Sequence, residues 1–177
     1  MCTLFVKDLG TQNASWKKLA IPVENSTNLT PTKGDKLEAK IEGGENEAVK
    51  YKKSTYALTF NIRKAKGRKA PFPAKDGVVE HNYAVMLMPE DATTDGFYIE
   101  SAAVGVDDTF TAADGAIWAA TMDALKPTSG CTVKWGTVTV ATSNVTFTEN
   151  ADSAAAGGAS AVTVTGAFTD NDAVAGE

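Results

Sequence analysis

The chain has 177 residues, 43% of them hydrophobic and 22% charged, with a formal net charge of −5. That composition belongs to a folded protein of one domain; it excludes a disordered chain, and a pI near 5.0 argues against a dedicated nucleic-acid binder. No run of eighteen apolar residues occurs, and "MCTLFVKDLGTQ" has neither a charged n-region nor a small-residue cleavage site, so neither a membrane span nor export is expected.

Residues 1–35 show little periodicity and end in the polar "ENSTNLTPTKGD", which predicts an extended N-terminal arm. "KLEAKIEGG" then alternates, with Leu37, Ala39 and Ile41 on one face and Glu38, Lys40 and Glu42 on the other, the pattern of a half-buried strand ending at a Gly43-Gly44 turn. In "VKYKKSTYALTFNIRK" the residues Tyr56, Leu58, Phe60 and Ile62 share a face, and the polar length before Tyr56 predicts a strand that begins outside the core. "EHNYAVMLMPE" and "GFYIESAAVGV" read as two further strands, the first stopped by Pro89. In "TFTAADGAIWAATMDALKP" the period changes. Trp118, Met122 and Leu125 fall at i, i+4 and i+7, Thr111 and Asp114 resemble a capping box, and Pro127 closes the segment, which predicts one helix over 112–125. "CTVKWGTVTVATSNVTFTE" supplies two more strands. Residues 149–177 are an Ala/Gly/Thr-rich C-terminal extension around one β-like run, "SAVTVTGAF", too poor in apolar area to order alone. The expected organisation is an arm (1–35), a β-rich domain (36–148) and an extension (149–177).

Charge is uneven along this order. Residues 1–75 hold fifteen of the seventeen Lys/Arg and seven of the twenty-two Asp/Glu, a balance of +8 against −13 for the remainder. The densest cationic stretch is "RKAKGRKAPFPAK" (63–75), with Arg63, Lys64, Lys66, Arg68, Lys69 and Lys75. It admits three readings: a solvated hairpin tip, a phosphate grip, or a basic loop that meets the acidic surface of the next copy. Phe72 between two prolines is its one aromatic, which gives no stacking ladder for single-stranded nucleic acid.

Signatures of chemistry are missing. The sequence has no GxGxxG, P-loop, GxSxG or HExxH motif, and Cys2, Cys131 and the single His81 do not make a zinc set. The two cysteines read as a reduced pair. Glu80-His81 lies close in sequence as an acid–base pair would, but the sequence places no nucleophile beside it. The paired carboxylates Glu90/Asp91 and Asp107/Asp108 are expected in turns, and the terminal "DNDAVAGE" carries only part of a calcium-loop pattern. No catalysis, cofactor or bound metal is expected.

The order of arm, strands, basic loop, strands, one helix after "VGVDDTFTAADGAIWAATMDALKP" and a closing strand "VKWGTVTV" resembles the major tail tube proteins of long-tailed bacteriophages and the related tubes of contractile injection machines, over roughly residues 36–148. The resemblance implies a mainly β fold, a sandwich or barrel with one flanking helix, made in the host bacterial cytoplasm and placed in the virion tail. It implies hexameric rings stacked head to tail into a tube, contacts with other tail proteins, and DNA passing through the lumen without specific binding. In that family a long loop reaches an adjacent ring, which would put Arg63, Lys64, Lys66, Arg68, Lys69 and Lys75 at a subunit contact. Asp107, Asp108 and Asp114 would be its acidic counterpart or face the lumen. Two alternatives stand beside this reading: a capsid decoration or head–tail joining protein, and a monomeric ligand- or glycan-binding β-sandwich using Trp16, Trp135 or Tyr98.

Overall fold

Leu4, Phe5 and Val6 are consecutive apolar residues, and a strand composed in this way must be covered on both faces. The computed structural model, which describes residues 1–171, puts them in β1 (Cys2–Asp8), all three buried. The chain continues through β2 (Trp16–Lys18), β3 (Asn28–Thr32), β4 (Lys36–Lys40), β5 (Asn46–Tyr51), β6 (Thr55–Arg63), β7 (Ala74–Lys75), β8 (Val78–Val79) and β9 (Tyr83–Pro89). It ends with β10 (Gly96–Thr111), β11 (Gly115–Ala124), β12 (Val133–Ala141), β13 (Asn144–Glu149), α1 (Ala151–Ala156) and β14 (Thr163–Asp170). The mainly β fold expected from the sequence is the one found.

Pairing follows the order β12-β13-β14-β2-β1-β9-β10, and the first half of β10 also pairs with β12, so these strands close on themselves as a barrel. Closure removes open edges from that part of the sheet. Every one of these strands sends a side chain inward: Phe5, Trp16, Met86, Tyr98, Val138, Phe147, Val164 and Phe168 form one apolar cluster. Aromatic rings fill it, Phe5 against Phe168 at 5.3 Å, Tyr98 against Phe147 at 5.4 Å and Trp16 against Tyr98 at 6.4 Å. The second half of β10 pairs with β11, and β11-β6-β3 continue as a layer packed over the outer faces of β1 and β9. Leu4, Val6, Tyr83 and Val85 from below meet Leu58, Phe60, Ile62 and Met122 from above in the larger cluster. A register shift between Ile99 and Ala102 lets β10 serve both halves, because one extra residue keeps Ile99, Ala102, Val104 and Val106 on the same core face.

Three expectations are corrected. Residues 112–125 are not a helix: Gly115–Ala124 is β11, paired along one side to β10 and along the other to β6. Trp118 and Met122, four apart, share a face in a helix and equally in a strand, whereas Leu125, which only the helical period would bury, is exposed. The Thr111–Asp114 bonds do form, Asp114 N–H donating to Thr111 Oγ1 at 3.0 Å, but they brace a hairpin turn ending at Gly115, whose φ is +76°. The one helix among the described residues is the six-residue α1.

Neither terminal segment is an appendage. Residues 1–35 supply β1, β2 and β3, and the C-terminal extension supplies β14, which pairs in parallel with β2 (Phe168 with Trp16, Asp170 with Lys18) and closes the barrel. The calcium-like terminus lies outside the described residues beyond Asp170 and Asn171. The strand 36–40 does form, but exposed on both faces rather than half-buried.

The closing seam depends on Gly166, where a Cβ would fall 2.6 Å from Cδ1 of the buried Trp16. The variant G166A should therefore lose about 1–3 kcal/mol to overpacking. The measurement is a urea titration, with a lower midpoint and unchanged slope expected.

Candidate interaction surface

β4 and β5 form a two-stranded sheet of their own, hydrogen-bonded to no other strand among the described residues. Residues 35–53 are all exposed. The local sequence explains the hairpin. Gly43 and Gly44 take φ of +114° and +86° at the turn, and Ile41 N–H donates to the Glu45 carbonyl at 3.0 Å. At the base the Lys52 amide donates to the Asp35 carbonyl at 2.9 Å and its ammonium meets the Asp35 carboxylate at 2.9 Å. Lys33 sits over the Tyr51 ring at 4.1 Å. The pairings Leu37 with Lys50 and Ala39 with Ala48 put these four side chains on one face, and Ile41 extends the row by the same alternation. Lys36 with Tyr51 and Glu38 with Val49 share the other, where Lys36 pairs with Glu38. Leu37, Ile41, Val49 and Tyr51 are each 46–50% exposed. A hairpin of this size is marginal in water alone, and it carries two large apolar side chains on each face that a neighbouring molecule would stabilise by covering.

The basic loop between β6 and β7 behaves differently from a free arm. Phe72 is buried, 4.9 Å from the Tyr83 ring and 6.3 Å from Phe60, and ties the loop to the larger core. Two of its cations turn back onto the acids proposed as counterparts, within one chain. Lys64 lies 2.8 Å from Asp108 and 5.3 Å from the Trp118 ring centre. Arg63 donates to the Asp114 carbonyl at 3.2 Å, with its carboxylate at 3.8 Å. Arg68 donates to the Arg63 carbonyl at 3.0 Å. Lys66, Lys69 and Lys75 are exposed and have no carboxylate partner among the described residues. Asp107 and Asp108 lie within β10 rather than in a turn.

His81 is paired, but with Asp8 rather than Glu80, Nδ1 to carboxylate at 3.0 Å. Asp8 also accepts from the Gly10 amide at 2.8 Å and from Thr11 Oγ1 at 3.0 Å, so it joins the end of β1 to the start of β9. Burial pushes the Asp8 carboxyl up, yet the bonds from His81, Gly10 and Thr11 outweigh it and hold the group below the usual aspartate range. Beside it burial, with the Asp8 charge adding, pushes the Tyr83 hydroxyl up to about 12. No nucleophile shares this site with a free base, and among the described residues no group of His, Cys, Asp and Glu is placed to hold a metal ion. Among the described residues no helix is long and apolar enough to cross a membrane. Both cysteines are free thiols. Of the aromatic residues considered for a ligand groove, Trp16 and Tyr98 are buried in the barrel and Trp135 is 44% exposed.

The hairpin was missed as the projecting element because its alternation is that of any half-buried strand; only the absence of a sheet to receive the row of Leu37, Ala39 and Ile41 marks it. No protein-family model matches the chain, and no curated protein matches it.

Because the folded pKa of Asp8 is depressed, its contribution to stability is full above the unfolded value of about 3.9 and is lost as pH falls through the lower folded value. D8N should flatten the decline in unfolding free energy below about pH 4, and should cost about 1–3 kcal/mol at neutral pH by leaving donors without their acceptor. Urea titrations across the acid range give both quantities.

Proposed function

We propose that this chain is a non-enzymatic virion structural protein of the tail tube type, working by self-association into stacked rings through which DNA passes. The observation that carries the reading is the isolated β4–β5 hairpin. It projects beyond the hydrogen-bonded sheet with Leu37, Ile41, Val49 and Tyr51 half exposed, and copies of the same chain are the simplest partners available to a self-assembling protein. A closed barrel with a packed second layer is a rigid body for such a contact. Head-to-tail growth needs two different faces, and a projecting hairpin that docks elsewhere on the next copy is heterologous by construction.

The basic loop takes a smaller part than its composition suggests. Arg63 and Lys64 are occupied within their own chain, so the charges free to meet another copy are Lys66, Lys69 and Lys75, with Asp107 among the acids. The hairpin supplies contact area, and these charges tune register and salt sensitivity. A capsid decoration or head–tail joining role would use the same hairpin to make a closed ring or trimer in place of a tube.

Electron microscopy and mass determination over a range of protein concentrations test this reading, with rings or tubes enclosing an axial channel expected. Burying Leu37 and Ile41 contributes about 1.5–3 kcal/mol each, so L37D/I41D should raise the assembly concentration by on the order of 10²- to 10⁴-fold while leaving the circular dichroism spectrum unchanged. K66E/K69E should weaken assembly mainly at low salt. Wild-type protein that stays monomeric at every concentration, also in the presence of tail-tip nuclei, would refute the proposal.

A further inference from the structure

A cleft of about 390 Å³ opens where the start of β6, the start of β12 and α1 meet. Tyr56 and Trp135 line it together with Ser54, Thr132 and Lys53, and Ser153 and Ala156 of α1 contribute to its wall. Trp135 is held in place by a T-shaped contact with the buried Phe97, centroids 5.5 Å apart, while 44% of the residue remains exposed. Its backbone is fixed as well: the Trp135 amide donates a 3.0 Å bond to Ser153 Oγ, which in turn donates to the buried Glu149 at 3.1 Å. An exposed indole on so rigid a support is a surface prepared for stacking.

The polar groups of the cleft narrow the ligand chemistry. The Ser54 and Thr132 hydroxyls and the Lys53 ammonium have no hydrogen-bond partner among the described residues. The other nearby cation, Lys134, is only 2% exposed and is spent on the Ser129 and Cys131 carbonyls at 2.9 and 3.2 Å and on Glu100 at 3.6 Å. One free cation is a poor match for a phosphate or polyanion. No carboxylate lines the cleft to receive a cation, since Glu149 is engaged by Ser153 and the Val162 amide. A ring with an apolar C–H face for Trp135 and hydroxyls that both donate and accept for Ser54, Thr132 and Lys53 satisfies all of these groups.

We propose that this cleft binds a pyranose ring of a neutral saccharide, with Trp135 as the stacking platform. The proposal is independent of self-assembly. The test is saturation-transfer NMR of the full-length protein with neutral gluco-, manno- and N-acetylglucosamine hexasaccharides at millimolar concentration, with AMP as a charged aromatic probe. At least one hexasaccharide should bind saturably, and W135L, which keeps an apolar contact with Phe97 but removes the aromatic face, should weaken it by on the order of tenfold at an unchanged thermal midpoint. S54A/T132V should weaken it further without touching the aromatic wall. Absence of binding by every hexasaccharide, equal binding by W135L, or AMP binding with no saccharide bound would each overturn the proposal. So would protection of Trp135 that follows protein concentration rather than saccharide, which would assign the face to a contact between copies.

Discussion

The parallel pairing of β14 with β2 is the seam on which the barrel depends. It joins a strand from the first twenty residues to one from the last fifteen described residues, across a sequence separation of about 150 residues. Without it β13 and β2 would both present open edges, and Phe168 and Val164 would leave the cluster that Phe5, Trp16 and Phe147 fill from the other staves. The seam in turn requires Gly166, because only a residue without a Cβ lets β14 approach the Trp16 ring. Loop closure on this scale costs entropy that no local contact repays, so the ends of the chain order together with the interior or not at all.

A second layer follows from the same strands. β1 and β9 are apolar on both faces, so closing the barrel leaves an outer apolar surface that β11, β6 and β3 must cover. Phe72 from the basic loop completes that cover. The loop is therefore a lid on the core first and a charged surface second: Arg63 and Lys64 turn along the rim to Asp114 and Asp108, and Lys66, Lys69 and Lys75 stay exposed.

The uneven charge along the sequence is folded together in space at three points. Lys18 meets Asp170, Arg63 meets Asp114 and Lys64 meets Asp108, each a cation from the first half beside an acid from the second. Exposed pairs of this kind contribute little to stability. Their effect is to soften the local field at those three points.

By itself the sequence determined the β character and most strand positions. Alternation in "YALTFNI" and "YAVMLM" is a local property, and local sterics place their side chains on opposite faces wherever the strand ends up. It also marked Leu37, Ala39 and Ile41 as one row, without saying whether anything covers it. Tertiary structure alone decided the rest. Trp118 and Met122 fit either period, and pairing with β10 and β6 selected the strand over the helix propensity of an Ala-rich segment. Leu4, Phe5 and Val6 show no alternation because both of their faces are buried, so the N-terminal segment read as an arm. The Ala/Gly/Thr-rich segment carries too little apolar area to order alone, and it becomes part of the barrel because β2 and β13 offer it unpaired backbone groups on both sides, a demand visible only once the fold has brought them together.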